Sequence, residues 1–321
     1  MNYIFKARNK KPLIIILLFS FIITYSSELS SQYWTPLSPM PYCNHDVFGA
    51  TYKGKIYIPG GAAPYGVPPV MTNFDKMLIY DTKQDHWTVT SSMSMNRRYC
   101  NVAYFDNKIW VIGGYVRVGK IETATSTIEL FDPDDEVWSK GINLPIPCAE
   151  SVAGVLNNRL YVAYGKHFFS ISANEKKWKV EPTPPYIVQQ TDGCVLNNKL
   201  YLTILGEGLI SFDADSSTWF TNYQPLPEGK APRAPAVVNY KNEVWVISGS
   251  DVEHEKQVRI FNPKKNKWRI VTDFPQAVSW ADGVVVNKEM YVFGGAAWST
   301  KDKKYIFRDT IWKLDKHYRN R

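Results

Sequence analysis

An all-β fold is what this sequence predicts: six four-stranded antiparallel sheets set radially about one axis and closed by an N-terminal strand. Three observations predict it. Trp34, Trp87, Trp138, Trp178, Trp219 and Trp268 recur at separations of 53, 51, 40, 41 and 49 residues. Each of the last five follows, by six positions, a turn-forming residue: Asp81, Asp132, Ser172, Asp213 or Asn262. Upstream of each such unit stands another pair of apolar runs joined by a tight polar turn. Self-similarity at this spacing marks a repeat architecture, in which each unit buries its apolar faces against its neighbours.

In chain order, the elements follow from turn chemistry. The upstream pairs read ATYKGKIYIPGG, AYFDNKIWVIGG, GVLNNRLYVAYG, CVLNNKLYLTILG, VVNYKNEVWVISG and VVVNKEMYVFGG. β-Branched and aromatic runs flank Gly, Asn, Asp and Lys, which is the pattern of a two-residue hairpin. The downstream segments IYDTKQDHW, LFDPDDEVW, SISANEKKW, SFDADSSTW and IFNPKKNKW place a Trp on each returning strand. These Trp are expected to be buried between sheets. Six upstream copies stand against five downstream ones. The sixth starts at residues 311–316 (IWKLDK), and its Trp strand is expected from Gln32-Tyr33-Trp34, so that residues 32–36 complete the last sheet.

The hydrophobic strands, the three Gly-Gly endings and the spaced Trp resemble kelch repeats, whose period is about 50 residues. The resemblance spans residues 32–321 and implies a six-bladed kelch-type β-propeller closed by an N-terminal strand. Tyr164-Gly165, Leu205-Gly206 and Ser248-Gly249 depart from the Gly pair. Kelch proteins include enzymes, actin binders and ubiquitin-ligase adaptors, so the fold leaves the function open.

Lys6, Arg8, Lys10 and Lys11 precede an apolar run at 13–23, and residues 1–26 contain no acid. A basic region, a short apolar stretch and the small residues Thr24 and Ser26 predict a secretory signal over 1–26, with the propeller occupying 27–321. A membrane span would need about 20 apolar residues, so a membrane is involved only if this segment is retained. The formal net charge of +8 falls to about +4 without the segment. The basicity therefore reports export, to the medium, periplasm or cell envelope, rather than a nucleic-acid partner. Five His without ligand spacing predict no metal, and no cofactor is expected. Cys43–Cys100 is the disulfide that export would permit, with free thiols as the alternative.

In this architecture the crossovers between sheets share one face with the loops joining second and third strands. Alignment on Gly61, Gly114, Gly165, Gly206, Gly249 and Gly295 puts small residues twelve positions upstream: Gly49, Val102, Ala153, Cys194, Val237 and Gly283. Fifteen upstream stand Asp46, Tyr99, Glu150, Thr191, Ala234 and Trp280; sixteen upstream stand His45, Arg98, Ala149, Gln190, Arg233 and Ser279. Arg97, Asp192 and Asp282 neighbour them. Small residues below and a charged, aromatic ring above predict a shaft with a mouth. The expected ligand contacts are His45, Asp46, Arg97, Arg98, Glu150, Arg233 and Trp280. Arg would hold an acidic group by paired hydrogen bonds, Trp280 would stack on an apolar or sugar face, and Glu150 would move a proton if there is turnover. Long loops at 60–77, 113–127 and 294–310 raise one wall, with Tyr65, Phe74, Tyr115, Trp298, Tyr305 and Phe307 as aromatic lining. Loops of this length without secondary structure are usually functional or disordered.

The expected function is an exported, monomeric propeller that binds a protein or glycan ligand, acidic groups being favoured by the Arg. The alternative rests on layout. A signal, six kelch blades and no second domain are similar to the N-acetylneuraminate epimerase family, which implies a sugar epimerase or mutarotase. Glu150 with Arg97, or Asp46 with His45, would then move the proton. Copper radical oxidases also contain kelch propellers, but His86 and His317 fall in a turn and the C-terminal tail, leaving too few His for their metal.

Overall fold

The computed structural model describes residues 33–66, 69–227, 230–250, 254–316 and 318. The signal at 1–26, Gln32 and His317 lie outside the described residues. Every regular element among the described residues is a β-strand. The strands form eight sheets: one of five strands, five of four, one of three and one of two. The strands Ala50–Tyr52, Asn101–Phe105, Val152–Leu156, Gly193–Leu196, Ala236–Tyr240 and Ser279–Val286 each pack beside the next, and the last returns to the first. This ring makes the fold propeller-like. Trp34–Pro36 pairs antiparallel with Ile311–Leu314, Trp34 facing Leu314, so the N-terminal strand closes the last sheet as expected.

Local sequence accounts for the hairpins. Lys53-Gly54, Asp106-Asn107, Asn157-Asn158, Asn197-Asn198, Lys241-Asn242 and Asn287-Lys288 have positive φ at both positions. That is the requirement of a type I′ turn, which Gly and Asn meet at least cost. The downstream turns are held by side chains. Asp81 Oδ1 accepts from the N–H groups of Lys83 and Gln84 at 2.9 and 3.0 Å. Asp132 and Asp213 accept in the same way from residues two and three further on. Asn262 accepts from Lys265. Such turns favour Asp or Asn at one position, which explains the residue six before four of the Trp; in the remaining repeat Glu175 accepts from the Ser172 N–H at 2.9 Å.

The apolar core lies in wedges between neighbouring sheets, as where Tyr57, Met77 and Ile79 pack with Ile109, Val111 and Phe131. The Trp residues depart from the expectation of burial. Trp34 and Trp87 are buried, but Trp138, Trp178, Trp219 and Trp268 are half-buried. From Trp87 onward, each of the five indole N–H groups reaches back to a carbonyl of the preceding repeat: Trp87 to Ser38 at 2.7 Å, Trp138 to Ser91 at 3.2 Å, Trp178 to Ile142 at 3.0 Å, Trp219 to Pro182 at 2.7 Å and Trp268 to Gln224 at 2.9 Å. A polar tip that must keep a partner holds the ring at the rim.

The three long loops also differ from expectation, because they are hairpins. Ala62–Tyr65 pairs with Val70–Asn73, Tyr115–Val118 with Ile121–Ala124, and the end of Glu289–Ser299 with Lys304–Phe307. Pairing satisfies their backbone groups and makes the high wall ordered. All four cysteines are free. The expected Cys43–Cys100 bridge does not form, since Cys100 is buried with its thiol directed at the Pro59 carbonyl.

Candidate functional site

Asp46, Tyr99, Glu150, Gln190, Ala234 and Trp280 all adopt the left-handed backbone conformation, with φ between 45° and 58°. This is costly for bulky residues and persists only where the surroundings impose it. Here a ring of peptide hydrogen bonds imposes it. The N–H groups of Asp46, Tyr99, Glu150, Ala234 and Trp280 donate to the carbonyls of Trp280, Asp46, Tyr99, Gln190 and Ala234 respectively, at 2.8 to 3.3 Å. The sixth junction is broken by chemistry, because the Gln190 N–H bonds the Glu150 carboxylate. The fourth member of the ring is Gln190 rather than Thr191, whose hydroxyl turns inward onto Thr203.

A cavity of about 280 Å³ stands over this ring, lined by His45, Asp46, Arg98, Glu150, Trp280 and, from the long hairpins, Met71, Tyr305 and Phe307. Arg98 is fully engaged. Its Nε and Nη2 donate to Glu122 at 3.0 and 2.7 Å, its Nη1 donates to Asp46, and it lies over the rings of Tyr99 and Tyr115. The hydrogen bonds from Arg98 hold the Glu122 carboxyl down at about 2. Burial pushes the Glu150 carboxyl above its ordinary value and the charge of Asp46 adds to this, while Gln190 and Arg98 oppose it. The Tyr115 hydroxyl donates to Glu150 at 3.5 Å, and burial pushes it up to about 12, which keeps it a donor. His45 Nδ1 lies 3.0 Å from Asp46 Oδ1, yet both ring nitrogens are buried without hydrogen-bond geometry to a partner.

Five of the seven sequence-predicted residues, His45, Asp46, Arg98, Glu150 and Trp280, meet in this cavity. Arg97 does not. It is fully buried, donating to the carbonyls of Gly113 and Thr127 at 2.9 and 3.0 Å and ion-paired with Glu129. It braces two sheets. Arg233 is exposed and lines a neighbouring cavity instead. Glu122 was not predicted, because it sits in a hairpin insertion that has no counterpart in the repeat register.

Beneath the ring, two acids meet inside the shaft. Asp192 accepts from Gly193 and Val237, and Asp282 from Gly283 and Gly49, each at 2.7 Å. The two carboxyls also hydrogen-bond each other. Burial raises both, and the proximity of Asp282 raises Asp192 further. Among the described residues no group of three or more His, Cys, Asp or Glu is placed to hold a metal ion.

The kelch motif model matches residues 96–144. The human Kelch repeat and BTB domain-containing protein 12 is 29% identical over 160 residues, covering 44% of this chain and 25% of that protein. The Kelch-like protein terF of Aspergillus terreus is 24% identical over 274 residues, covering 82% of this chain and 52% of that protein. The chain thus spans about half or less of the length of these curated relatives. The solved structure titled "Structure of YjhT" superposes with a TM-score of 0.72 at 13% identity, covering 85% of this chain and 95% of that one. At that identity the likeness shows the fold alone. The chain thus carries a kelch motif at residues 96–144, is similar to kelch-repeat proteins over much of its length and has a propeller-like fold.

Proposed function

We propose that the protein is an exported six-bladed propeller that binds a sugar over its shaft and interconverts forms of it, as an epimerase or mutarotase does. Six of the eight sheets carry the packed ring of strands, and the other two are built from the long hairpins, which supports the blade count. Residues 1–26 act as the signal and 27–321 as one domain.

The observation that carries the reading is Glu150, a half-buried carboxyl raised above its ordinary value in a cavity walled by Tyr99, Trp280, Tyr305 and Phe307. Mutarotation needs one group to take the proton of the anomeric hydroxyl while another protonates the ring oxygen. The ring C–O bond breaks with its electron pair going to that oxygen, and the open-chain carbonyl recloses from either face. A carboxyl shifted toward neutrality gives and takes a proton more evenly than an ordinary Glu. His45, which lines the same cavity with its Nδ1 3.0 Å from Asp46 Oδ1, is the second proton carrier. The aromatic walls suit the apolar face of a sugar ring, and the layout similarity to the N-acetylneuraminate epimerase family points the same way.

The test follows mutarotation of a sugar panel by NMR with wild type and Glu150→Gln. The variant is expected to keep binding and to lose about 100-fold or more in rate. Wild-type turnover in the variant would remove Glu150 from the mechanism. A protein-binding role is the second reading, favoured by Tyr65, Val70, Val118 and Ile121, which stand 59% to 75% exposed on two of the hairpins.

A further inference from the structure

We infer that the ligand is an acidic glycan of at least two sugar units, with one ring over the shaft and a carboxylate-bearing unit in the adjoining cavity, held by Arg233 and Lys301. The inference rests on the sugar-binding reading above and deepens it by naming the substrate class.

The second cavity, of about 610 Å³, shares Trp280 and Tyr305 with the first. A run of rings links the two. Phe307 lies 6.3 Å from Tyr305, Tyr305 lies 6.1 Å from Trp280, and Trp298 lies 5.2 Å beyond Tyr305. Trp298 and Tyr305 are each 45% exposed. Aromatic faces of that size left in water gain by being covered, and a chain of sugar rings covers successive faces.

Charge sorts the two cavities. Over the shaft, Arg98 is divided between Asp46 and Glu122, so an entering carboxylate would meet the carboxyls of Asp46 and Glu150 and an arginine already engaged by two acids. The outer cavity reverses this. Among the described residues, Arg233 and Lys301 line it, no carboxylate does, and neither cation is ion-paired with an acid. His254, also in its lining, is shifted toward the neutral form by burial and bonds Ser279 at 3.0 Å, so it shapes the wall without adding charge. A guanidinium facing solvent beside aromatic rings suits a sugar carboxylate, which it grips by two parallel hydrogen bonds. The acidic group expected at the shaft mouth therefore belongs one ring further out.

The experiment measures the affinity of the full chain, by calorimetry, for a panel of uronate-containing disaccharides, their carboxyl-reduced counterparts and the component monosaccharides. An acidic disaccharide is expected to bind about tenfold or more tighter than its reduced counterpart, an advantage that shrinks with added salt. In R233A and K301A together, the ratio of the two affinities is expected to fall to about one, with the melting temperature as the check on folding. Equal binding of acidic and reduced forms by wild type, or an unchanged ratio in the double variant, overturns the inference while leaving monosaccharide binding to support the sugar-binding reading. Binding of no sugar in the panel overturns both.

Discussion

Arg97 and Arg98 are adjacent in the chain and opposite in fate. Successive side chains on a strand point to opposite faces, so Arg98 enters the cavity while Arg97 is driven between sheets, onto Glu129. The same scale decides the shaft acids. Asp192 and Asp282 titrate higher in the fold than an ordinary Asp, so the folded chain binds more protons than the unfolded one above about pH 4. Their contribution to stability is complete below that pH and is lost as the pH rises through about 7, where Asp282 ionises. Glu122, held at about 2, acts in the opposite sense: its contribution is present above the ordinary Glu value and is lost as the pH falls toward 2. Melting temperatures measured between about pH 5 and 8 are therefore expected to fall with pH in wild type and to run flatter in Asp192→Asn. Parallel profiles for the two proteins would show that the shaft pair holds no extra proton.

At the scale of elements, the Gly-Gly pairs and the Trp strands have separate jobs. The pairs Gly60-Gly61, Gly113-Gly114 and Gly294-Gly295 occur in the three repeats that carry a long hairpin. There the chain turns against the next crossover so closely that a Cβ on Gly113 would lie 2.4 Å from the Cys148 carbonyl oxygen. At Gly165 and Gly206, in the short-looped repeats, a Cβ would meet nothing within 4 Å, so the crossover does not crowd the chain there. The Trp strands tie each repeat to the one before. Trp219 packs on Phe168 and Phe212 at 5.0 and 5.3 Å while its N–H bonds Pro182. Trp219→Phe, losing the bond and part of the ring's packing, is expected to cost at least about 1 kcal/mol in denaturant unfolding. Trp219→Ala should cost roughly 3 kcal/mol, at the low end for an aromatic truncation because the ring is half-buried. An unchanged midpoint for the Phe variant would mean that the indole bond contributes nothing.

For the whole molecule, closure is the decisive contact. Trp34 is buried against Phe274, with ring centroids 4.9 Å apart, in the core that also holds Leu314 and Tyr318. Removing residues up to 36 would strip the strand that covers Ile311–Leu314 and leave an unpaired edge. The truncated protein is expected to melt several degrees lower and to aggregate on heating. Retention of the wild-type melting temperature would show that the ring does not depend on this strand. The three long hairpins rise over the ring and make one wall high.

Turn chemistry and strand alternation are written in contiguous residues, so the repeats, the closing strand and the register of the ring were legible in the sequence by itself. That register brought His45, Asp46, Arg98, Glu150 and Trp280 to one depth, because equivalent positions in a repeat occupy equivalent places. Tertiary structure alone decided which neighbour of a pair faces the cavity or joins the ring, as with Arg97 and Arg98, or Gln190 and Thr191. It also decided that Glu122, from an insertion without register, reaches Arg98, that Arg233 opens into an outer cavity, and that Asp192 meets Asp282 across 90 residues. These are matters of side-chain direction and of contact between distant segments, which exist only once the ring has closed.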